Sequence, residues 1–446
     1  MDFENIYLKL PILLQYLLLN LKGYLIRKKR YNKQFYKYLK LYEKNLGLEL
    51  KTPSDEFYNF IKYANNSHFW NKIFKKYDFN INAENLFKEL EKLPILNKNI
   101  VKDNYNDIQL NINGDQVEYT HTSGTTGSGL VFPQTRTMEN KQWAIWWRYR
   151  RMHGISLNDW CGWFGGRSIV PIKQKKPPYW RTCYPLKQVM FSAHHLNNST
   201  VKDYFYEMKN RKLKWLHGYP SQLANLANLI KDADLGNLPN LKIITLGAEN
   251  LLEHQKKIIQ EVFKVPVRQH YGLAEGVANI SEWPDGSLRL DKDFSYVEFI
   301  SIENDESNNY RIIGTNFNNY AFPLIRYDTG DVAKIEKLNN GTFKILTIDG
   351  RQEDYIILPN GVKLGRLDHI FKDILNVNEA QLYQKDRSKV IIRIVKGKNF
   401  HTKEDGNKII KEARKRLGDD IKLELAYYNS IPKTSSGKLR FVISDH

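Results

Sequence analysis

Residues Glu118 to Thr135 read EYTHTSGTTGSGLVFPQT, and the eight at its centre, TSGTTGSG, are all glycine or small hydroxyl residues. The strand-forming residues VEYT precede this string, separated from it by His121. A loop of this kind exposes successive backbone N–H groups and hydroxyls on one concave surface, which suits phosphate oxygens. It lacks the Gly-Lys-Ser/Thr ending of the ATPase and GTPase P-loop, so it is a phosphate cradle of another kind. An ordinary tight turn uses the same residue types, but eight in succession argue against a turn alone.

The surrounding chain has 446 residues, 41% of them hydrophobic, which suffices for a large core and two or three domains. Charges of both signs are mixed along it, which argues against disorder. The two cysteines, Cys161 and Cys183, have no paired spacing of a disulfide framework or zinc ribbon, and fit a reducing, cytoplasmic setting. A net charge of +19 suits nucleic acid, an anionic substrate or an anionic membrane surface. Abundant Asn, Ile and Tyr, as an AT-rich genome produces, account for part of the lysine excess, so charge alone selects no partner.

Near the N-terminus, LPILLQYLLLNLKGYLIRKKRY joins an apolar run to a basic cluster. Gln15, Asn20, Lys22 and Gly23 interrupt the run between Leu10 and Ile26, leaving it too short and polar for a comfortable membrane span. It also lacks the small-residue cleavage site of a secretory signal. Two readings stand. One is a helix packed on the domain; the other is a helix lying in a membrane interface, with Arg27, Lys28, Lys29 and Arg30 at lipid phosphates.

Further along, helical and strand-like runs alternate, which predicts an α/β architecture. LKIITLGAE from Leu241 and VPVRQHYGLAE from Val265 read as buried strands, the first ending in a glycine turn. TFKILTIDGRQEDYIIL reads as strand, turn, strand. Beyond that turn lie about a hundred residues of mixed pattern, with KVIIRIVKG as strand and GNKIIKEARKRLG as helix, a reasonable size for a small domain. The expected division is a nucleotide- and acyl-binding domain over 1–350 and a C-terminal lid over 351–446.

Four further signatures follow the glycine-hydroxyl loop in order: YGLAE from Tyr271 to Glu275, YDTGD from Tyr327 to Asp331, GRQED from Gly350, and PKTSSGKLR from Pro432 to Arg440. This series resembles the adenylate-forming superfamily of acyl- and aryl-CoA ligases from about Glu118 to the C-terminus. Within it, HGYPSQLA, GAENLLEHQ and NNYAFPLIRYDTGDVA are similar to the phenylacetate-CoA ligase-like branch, especially its CapK-like members associated with capsular polysaccharide biosynthesis. The resemblance implies a large multi-sheet α/β domain with a small mobile α+β C-terminal domain.

It also implies roles for particular residues. Lys438 stands at the adenylation lysine, bridging the carboxylate and the α-phosphate of ATP. Glu275 matches the acid that holds Mg²⁺, a role suited to a hard oxygen ligand. Asp331 matches the acid that accepts both ribose hydroxyls. Arg351 reaches ribose or phosphates from the domain junction. Thr122, Ser123, Thr125 and Thr126 contact pyrophosphate, and Gly124 and Gly127 permit its approach. Gly247, Ala248 and Glu249, with Tyr271 and Gly272, flank the adenine. Arg326 and Asp328 read equally well as structural partners of one another.

Two departures from the wider pattern stand out. The phosphate loop of many relatives closes with Pro-Lys, whereas TGSGLVFP has no lysine. The hinge position, commonly aspartate or lysine, is Glu353. For the acyl pocket, Trp163, Phe164, Tyr179 and Trp180 supply an apolar wall or plain core. Arg167 and His195 are the donors expected to meet an anionic or sugar-linked substrate.

The expected function is a cytoplasmic ligase that uses ATP and Mg²⁺ to form an acyl-adenylate from a small-molecule carboxylate. Coenzyme A is the acceptor the resemblance points to. An amine or hydroxyl of a sugar precursor is the alternative. A reading from another class is a non-catalytic protein binding nucleotide, nucleic acid or membrane; the presence of Lys438, Glu275, Asp331 and Arg351 together argues against it, and no specific nucleic acid is expected.

Overall fold

The computed structural model describes residues 3–47, 53–112, 114–122, 130–166, 169–249, 251–302, 308–338, 343–349, 355–364, 367–371, 377–397, 400–432 and 440–444. Three helices open the chain: α1 (Phe3–Lys9), α2 (Ile12–Arg30) and α3 (Lys33–Lys44). Five more follow: α4 (Asp55–Ala64), α5 (His68–Lys76), α6 (Leu86–Leu90), α7 (Lys98–Asp103) and α8 (Tyr105–Ile108). Asn32, Ser54, Ser67 and Asn97 cap four of these helices, each side chain accepting the backbone N–H three residues on.

The strands β1 (Val117–His121) and β2 (Val131–Thr135) form an antiparallel hairpin, with the glycine-hydroxyl loop between them. After α9 (Arg136–Met152) the chain enters a twelve-stranded sheet. Its first part holds β3 (Cys161–Phe164), β4 (Trp180–Cys183), β5 (Gln188–Phe191), β6 (Trp215–Gly218), β7 (Ile243–Gly247) and β8 (Val267–Gly272). The helices α10 (Val201–Asn210), α11 (Pro220–Asp232) and α12 (Glu253–Phe263) connect the later members. Strands β5, β3, β6, β7 and β8 run parallel in that spatial order, while β4 lies antiparallel at the edge beside β5. Such a parallel run is buried on both faces, and IITLG of β7 is accordingly apolar almost throughout.

Beyond β8 the sheet turns antiparallel through β9 (Asn279–Glu282), β10 (Leu288–Leu290), β11 (Tyr296–Ser301), β12 (Asn309–Thr315), β13 (Tyr327–Lys337) and β14 (Phe343–Asp349), in the spatial order β9-β10-β14-β13-β12-β11. A short pair, β15 (Ile356–Ile357) and β16 (Lys363–Leu364), precedes the C-terminal domain. That domain is a four-stranded sheet ordered β19-β18-β17-β20, from β17 (Val377–Asp386), β18 (Lys389–Lys396), β19 (Lys422–Tyr428) and β20 (Val442–Ser444), with α13 (Thr402–Leu417). Its core of Leu382, Ile392, Ile394 and Ile409 is separate from those of the large sheet. The α/β class with a small α+β C-terminal domain is therefore what the chain adopts. The expected boundary between 350 and 351 lies outside the described residues.

Three local expectations need correction. The C-terminal helix starts at Thr402, not Gly406, because Asp405 bonds the His401 N–H and holds the first turn. Arg326 and Asp328 are not partners of each other: Arg326 pairs with Glu298 and Asp328 with Arg311. Arg326 stands just before β13 in left-handed backbone at φ 50°, so strand alternation does not set it beside Asp328. Third, most of the basic cluster at the end of α2 turns toward protein. The Arg27 guanidinium donates to Pro185 O at 2.7 Å, Lys29 pairs with Glu118, and the Arg30 guanidinium lies 3.4 Å from the Trp143 ring centroid.

Candidate functional site

In open α/β sheets, ligands bind outside the carboxyl ends of the parallel strands. Here those ends are Phe191, Phe164, Gly218, Gly247 and Gly272, on β5, β3, β6, β7 and β8. The glycines permit close approach. A Cβ on Gly218 would sit 2.3 Å from Phe164 O, and one on Gly272 would sit 2.9 Å from Asn279 Oδ1. Ala248 adopts φ 68°, left-handed backbone that costs a residue with a Cβ, directly at the end of β7. Glu249 follows, and its Oε2 accepts the Ser221 N–H at 3.1 Å, at the start of α11. A carboxylate there complements the positive end of that helix.

Two motifs sixty residues apart meet at this edge. The Tyr271 hydroxyl donates to Asp331 Oδ2 at 2.9 Å. Strands β8 and β13 are four positions apart in the sheet, roughly 19 Å if it were flat. The sheet therefore curls enough to bring YGLAE and YDTGD together. Within β13, beside the register shift against β12, Gly330 at φ 74° adopts left-handed backbone that a side chain would resist, and Thr329 Oγ1 accepts the Asp331 N–H at 3.1 Å. Asp331 is buried, with 8% exposure, and burial together with the Asp331 charge pushes the Tyr271 phenol well above its ordinary range.

Glu275 is also buried, on the turn after β8, where the Asn316 amide donates to its backbone carbonyl. The hairpin is tied to the same turn. Gln134 of β2 donates to Gln142 of α9 at 3.2 Å, and Gln142 donates to Leu273 O at 2.8 Å. Thr122 closes the base of the glycine-hydroxyl loop: its N–H donates to Leu130 O at 2.8 Å and its hydroxyl accepts the Leu130 N–H at 2.9 Å.

Alongside, the face of the sheet beneath α9 carries Trp163, His217 and His270, all partly accessible, opposite Trp146. His217 Nδ1 lies 2.8 Å from Thr245 Oγ1, and Trp146 donates to Asn279 Oδ1 at 3.2 Å. Burial, reinforced by the Arg150 charge, pushes His217 well below its usual range; burial pushes His270 down to about 4. His194, after β5, is pushed down to about 4 by burial and by His195. These rings are neutral at neutral pH.

The structure thus gathers Gly247, Ala248, Glu249, Tyr271, Gly272, Glu275 and Asp331 around one edge of the sheet, while Thr122 sits at the base of the hairpin loop. His195 also follows a carboxyl strand end, but both its ring nitrogens are engaged, Nδ1 with Ser192 Oγ at 2.8 Å and Nε2 with Ile172 O at 3.3 Å. It anchors the segment leading away from β3. Phe164 and Tyr179 are core; Trp163 and Trp180 are partly accessible. Ser123, Gly124, Thr125, Thr126, Gly127, Arg167, Arg351, Glu353 and Lys438 lie outside the described residues. Sequence reasoning passed over Gln142, Asn279 and Asn316, which position the turn after β8. The available signal was an excess of amides within otherwise apolar stretches such as IIGTNFNNYAFPLI. Among the described residues no cluster of three or more His, Cys, Asp or Glu is arranged to hold a metal ion.

Comparisons with known proteins agree with this architecture. The chain is similar to a thioester-forming enzyme of known structure, 2-hydroxyisobutyryl-CoA ligase in complex with 2-HIB-AMP and CoA: TM-score 0.54 and 18% identity, over 87% of this chain and 88% of that one. The same ligase in its postadenylation state gives TM-score 0.50 and 16% identity, over 87% and 88%. At such identities the likeness is one of fold. The family model for the CapK C-terminal domain matches residues 358–445. Protein CapK of Staphylococcus aureus is 30% identical, over 99% of each chain. At that identity along nearly its whole length, the chain belongs to the CapK family.

Proposed function

We propose that the protein is an ATP- and Mg²⁺-dependent, AMP-forming acid ligase of the phenylacetate-CoA ligase-like kind, acting in the cytoplasm. The observation that carries this reading is the Tyr271–Asp331 bond, which joins two distant motifs at the carboxyl edge of the parallel strands. On this reading Asp331, oriented by Tyr271, accepts the ribose hydroxyls. Ala248, Glu249 and Gly272 border the adenine with Gly247, and the Tyr271 ring lies against it. Residues 122–127 hold the departing phosphates. Glu275 holds Mg²⁺; one buried carboxylate fits this ion, which takes most of its ligands from phosphate oxygens and water. The bound ion supplies charge neutralisation at the phosphates.

The substrate carboxylate oxygen attacks the α-phosphorus, the bond to the β-phosphate oxygen breaks, and pyrophosphate leaves. Lys438 and Arg351 stabilise the charge developing there. Residues 351–446 act as a lid pivoting at Glu353, so that Lys438 attends the first step and withdraws for the second. In the second step the acceptor attacks the acyl carbon, the bond to AMP breaks, and the acceptor proton is released. The acceptor is coenzyme A, or an amine or hydroxyl of a sugar precursor in surface polysaccharide synthesis. Arg167 meets the acid directly, and His195 acts through the 172–174 segment it holds.

The test is pyrophosphate release from ATP and Mg²⁺ across aryl, fatty, amino and uronic acids, with and without coenzyme A, beside Lys438→Ala. Acid-dependent release is expected, falling by about two orders of magnitude or more in the variant. Release indifferent to Lys438, or absent with every acid despite ATP binding, overturns the reading. Dependence of AMP release on coenzyme A or on a sugar amine separates the two acceptors.

A further inference from the structure

Helix α2 has two distinct sides. One side is fixed to the edge strand β4: the Tyr16 hydroxyl donates to Trp180 O, Asn20 donates to Thr182 O at 3.0 Å, and the Tyr184 N–H donates to Asn20 Oδ1 at 2.8 Å. Gly23 packs so tightly that a Cβ would lie 2.3 Å from Cys183 Sγ, and buried Gln15 accepts from Arg181. This side covers a strand edge that would otherwise invite pairing.

The opposite side packs on none of the described residues closely enough to be buried. Leu13, Leu17 and Leu21 are 72%, 60% and 60% exposed, and Leu14, Tyr24 and Leu25 are exposed with them. Their spacing places all six within a contiguous arc of the helix, forming a stripe about 18 Å long. Ile6 of α1 and Ile12 at the start of α2 are exposed as well. Scattered exposed leucines are ordinary; a continuous stripe on a rigidly held helix is not.

We infer that this stripe seats the protein on an anionic lipid surface, with α2 lying in the plane of the headgroups. Charge selects that occupant over a second copy. The helix contains no acidic residue, exposed Lys28 falls within the arc of the stripe, exposed Lys9 ends the neighbouring α1, and the whole chain carries +19. Two copies would oppose like charge across the contact, whereas lipid phosphates complement it. The leucines and these lysines provide the contact; Arg27, Lys29 and Arg30 are occupied within the protein. No described helix is long and apolar enough to cross a membrane, so the contact is peripheral.

The placement bears on the site. Helix α2 runs along β4 from Trp180, at the carboxyl edge, to Pro185 at the opposite edge. The Tyr7 hydroxyl of α1 donates to Ile169 O, on the segment leaving β3. A protein seated on this stripe places the β4 end of the carboxyl edge nearest the headgroups, with β7 and β8 four and five strands further along the sheet.

The experiment is co-sedimentation of the full chain with vesicles of phosphatidylglycerol and phosphatidylcholine in equal parts, and with phosphatidylcholine alone. It includes the triple variant Leu13→Gln, Leu17→Gln, Leu21→Gln and the pair Lys9→Glu, Lys28→Glu, with thermal melts to establish folding. Wild type is expected on the mixed vesicles. The triple variant, folded as before, should partition about a hundredfold less, and the lysine pair about tenfold less on mixed vesicles only. Wild type left in the supernatant, or a folded triple variant that partitions normally, overturns the inference. So does a dimer, seen without vesicles, that the triple variant dissociates, since a second copy would then be the occupant.

Discussion

Asp331 shows how one bond can serve two ends. Its carboxylate is buried, and the Tyr271 hydroxyl both satisfies it and aims it. Tyr271→Phe removes that donor and leaves the ring in place. The loss of a hydrogen bond to a buried charged group costs about 1–3 kcal/mol. The variant should therefore melt lower and, on the ligase reading, show an apparent KM for ATP raised about tenfold with kcat less affected. An unchanged KM in a protein that melts lower would leave the pair with a structural role alone. The sequence placed both residues in motifs, but their contact is not a local property. Nor are the partners of Arg326, which pairs with Glu298 on a strand twenty-eight residues earlier.

Among elements, the strands β3 and β6 approach so closely at their carboxyl ends that Gly218 has no room for a methyl group. The obstructing atom is backbone, Phe164 O, which cannot rotate away. Gly218→Ala should cost about 1–3 kcal/mol in urea unfolding and splay the edge on which the site is built. Gly247→Ala, with its nearest contact at 3.2 Å, should cost less. Equal effects of the two substitutions would show that strand approach at Gly218 is not limiting. Elements were the most legible scale. Period-two and unbroken apolar runs marked β7, β8, β14 and β18, and the loop between β1 and β2 stood out by composition. The strand expected from YIIL, after the turn from Gly350 to Asp354, is the two residues of β15, which pair among the described residues with the equally short β16. Strand length is set by the partner, which lies elsewhere in the chain.

For the whole molecule, His194, His195, His217 and His270 come from the ends of three strands and are all held neutral by burial. In the unfolded chain a histidine titrates near 6.5, whereas in the folded protein His194 and His270 do so at about 4. Between those values the unfolded state binds protons that the folded state refuses. Their stabilising contribution is complete above 6.5 and is lost as the pH falls toward 4. Urea melts at about pH 7 and about pH 5 should differ, and His270→Gln should shrink the difference by about 1–2 kcal/mol. A difference of the same size in the variant would mean that His270 protonates freely in the folded state.

Read alone, the sequence determined most of the elements and the α/β class, and supplied the residues expected to meet a nucleotide, because apolar period, glycine position and hydroxyl content are properties of neighbours along the chain. Tertiary structure decided which of them meet. The curl of the sheet joined Tyr271 to Asp331, and Arg27, Lys29 and Arg30 were drawn onto protein partners while the leucines of α2 were left facing outward. Those outcomes depend on contacts between residues tens to hundreds of positions apart, where packing rather than local pattern selects the partner.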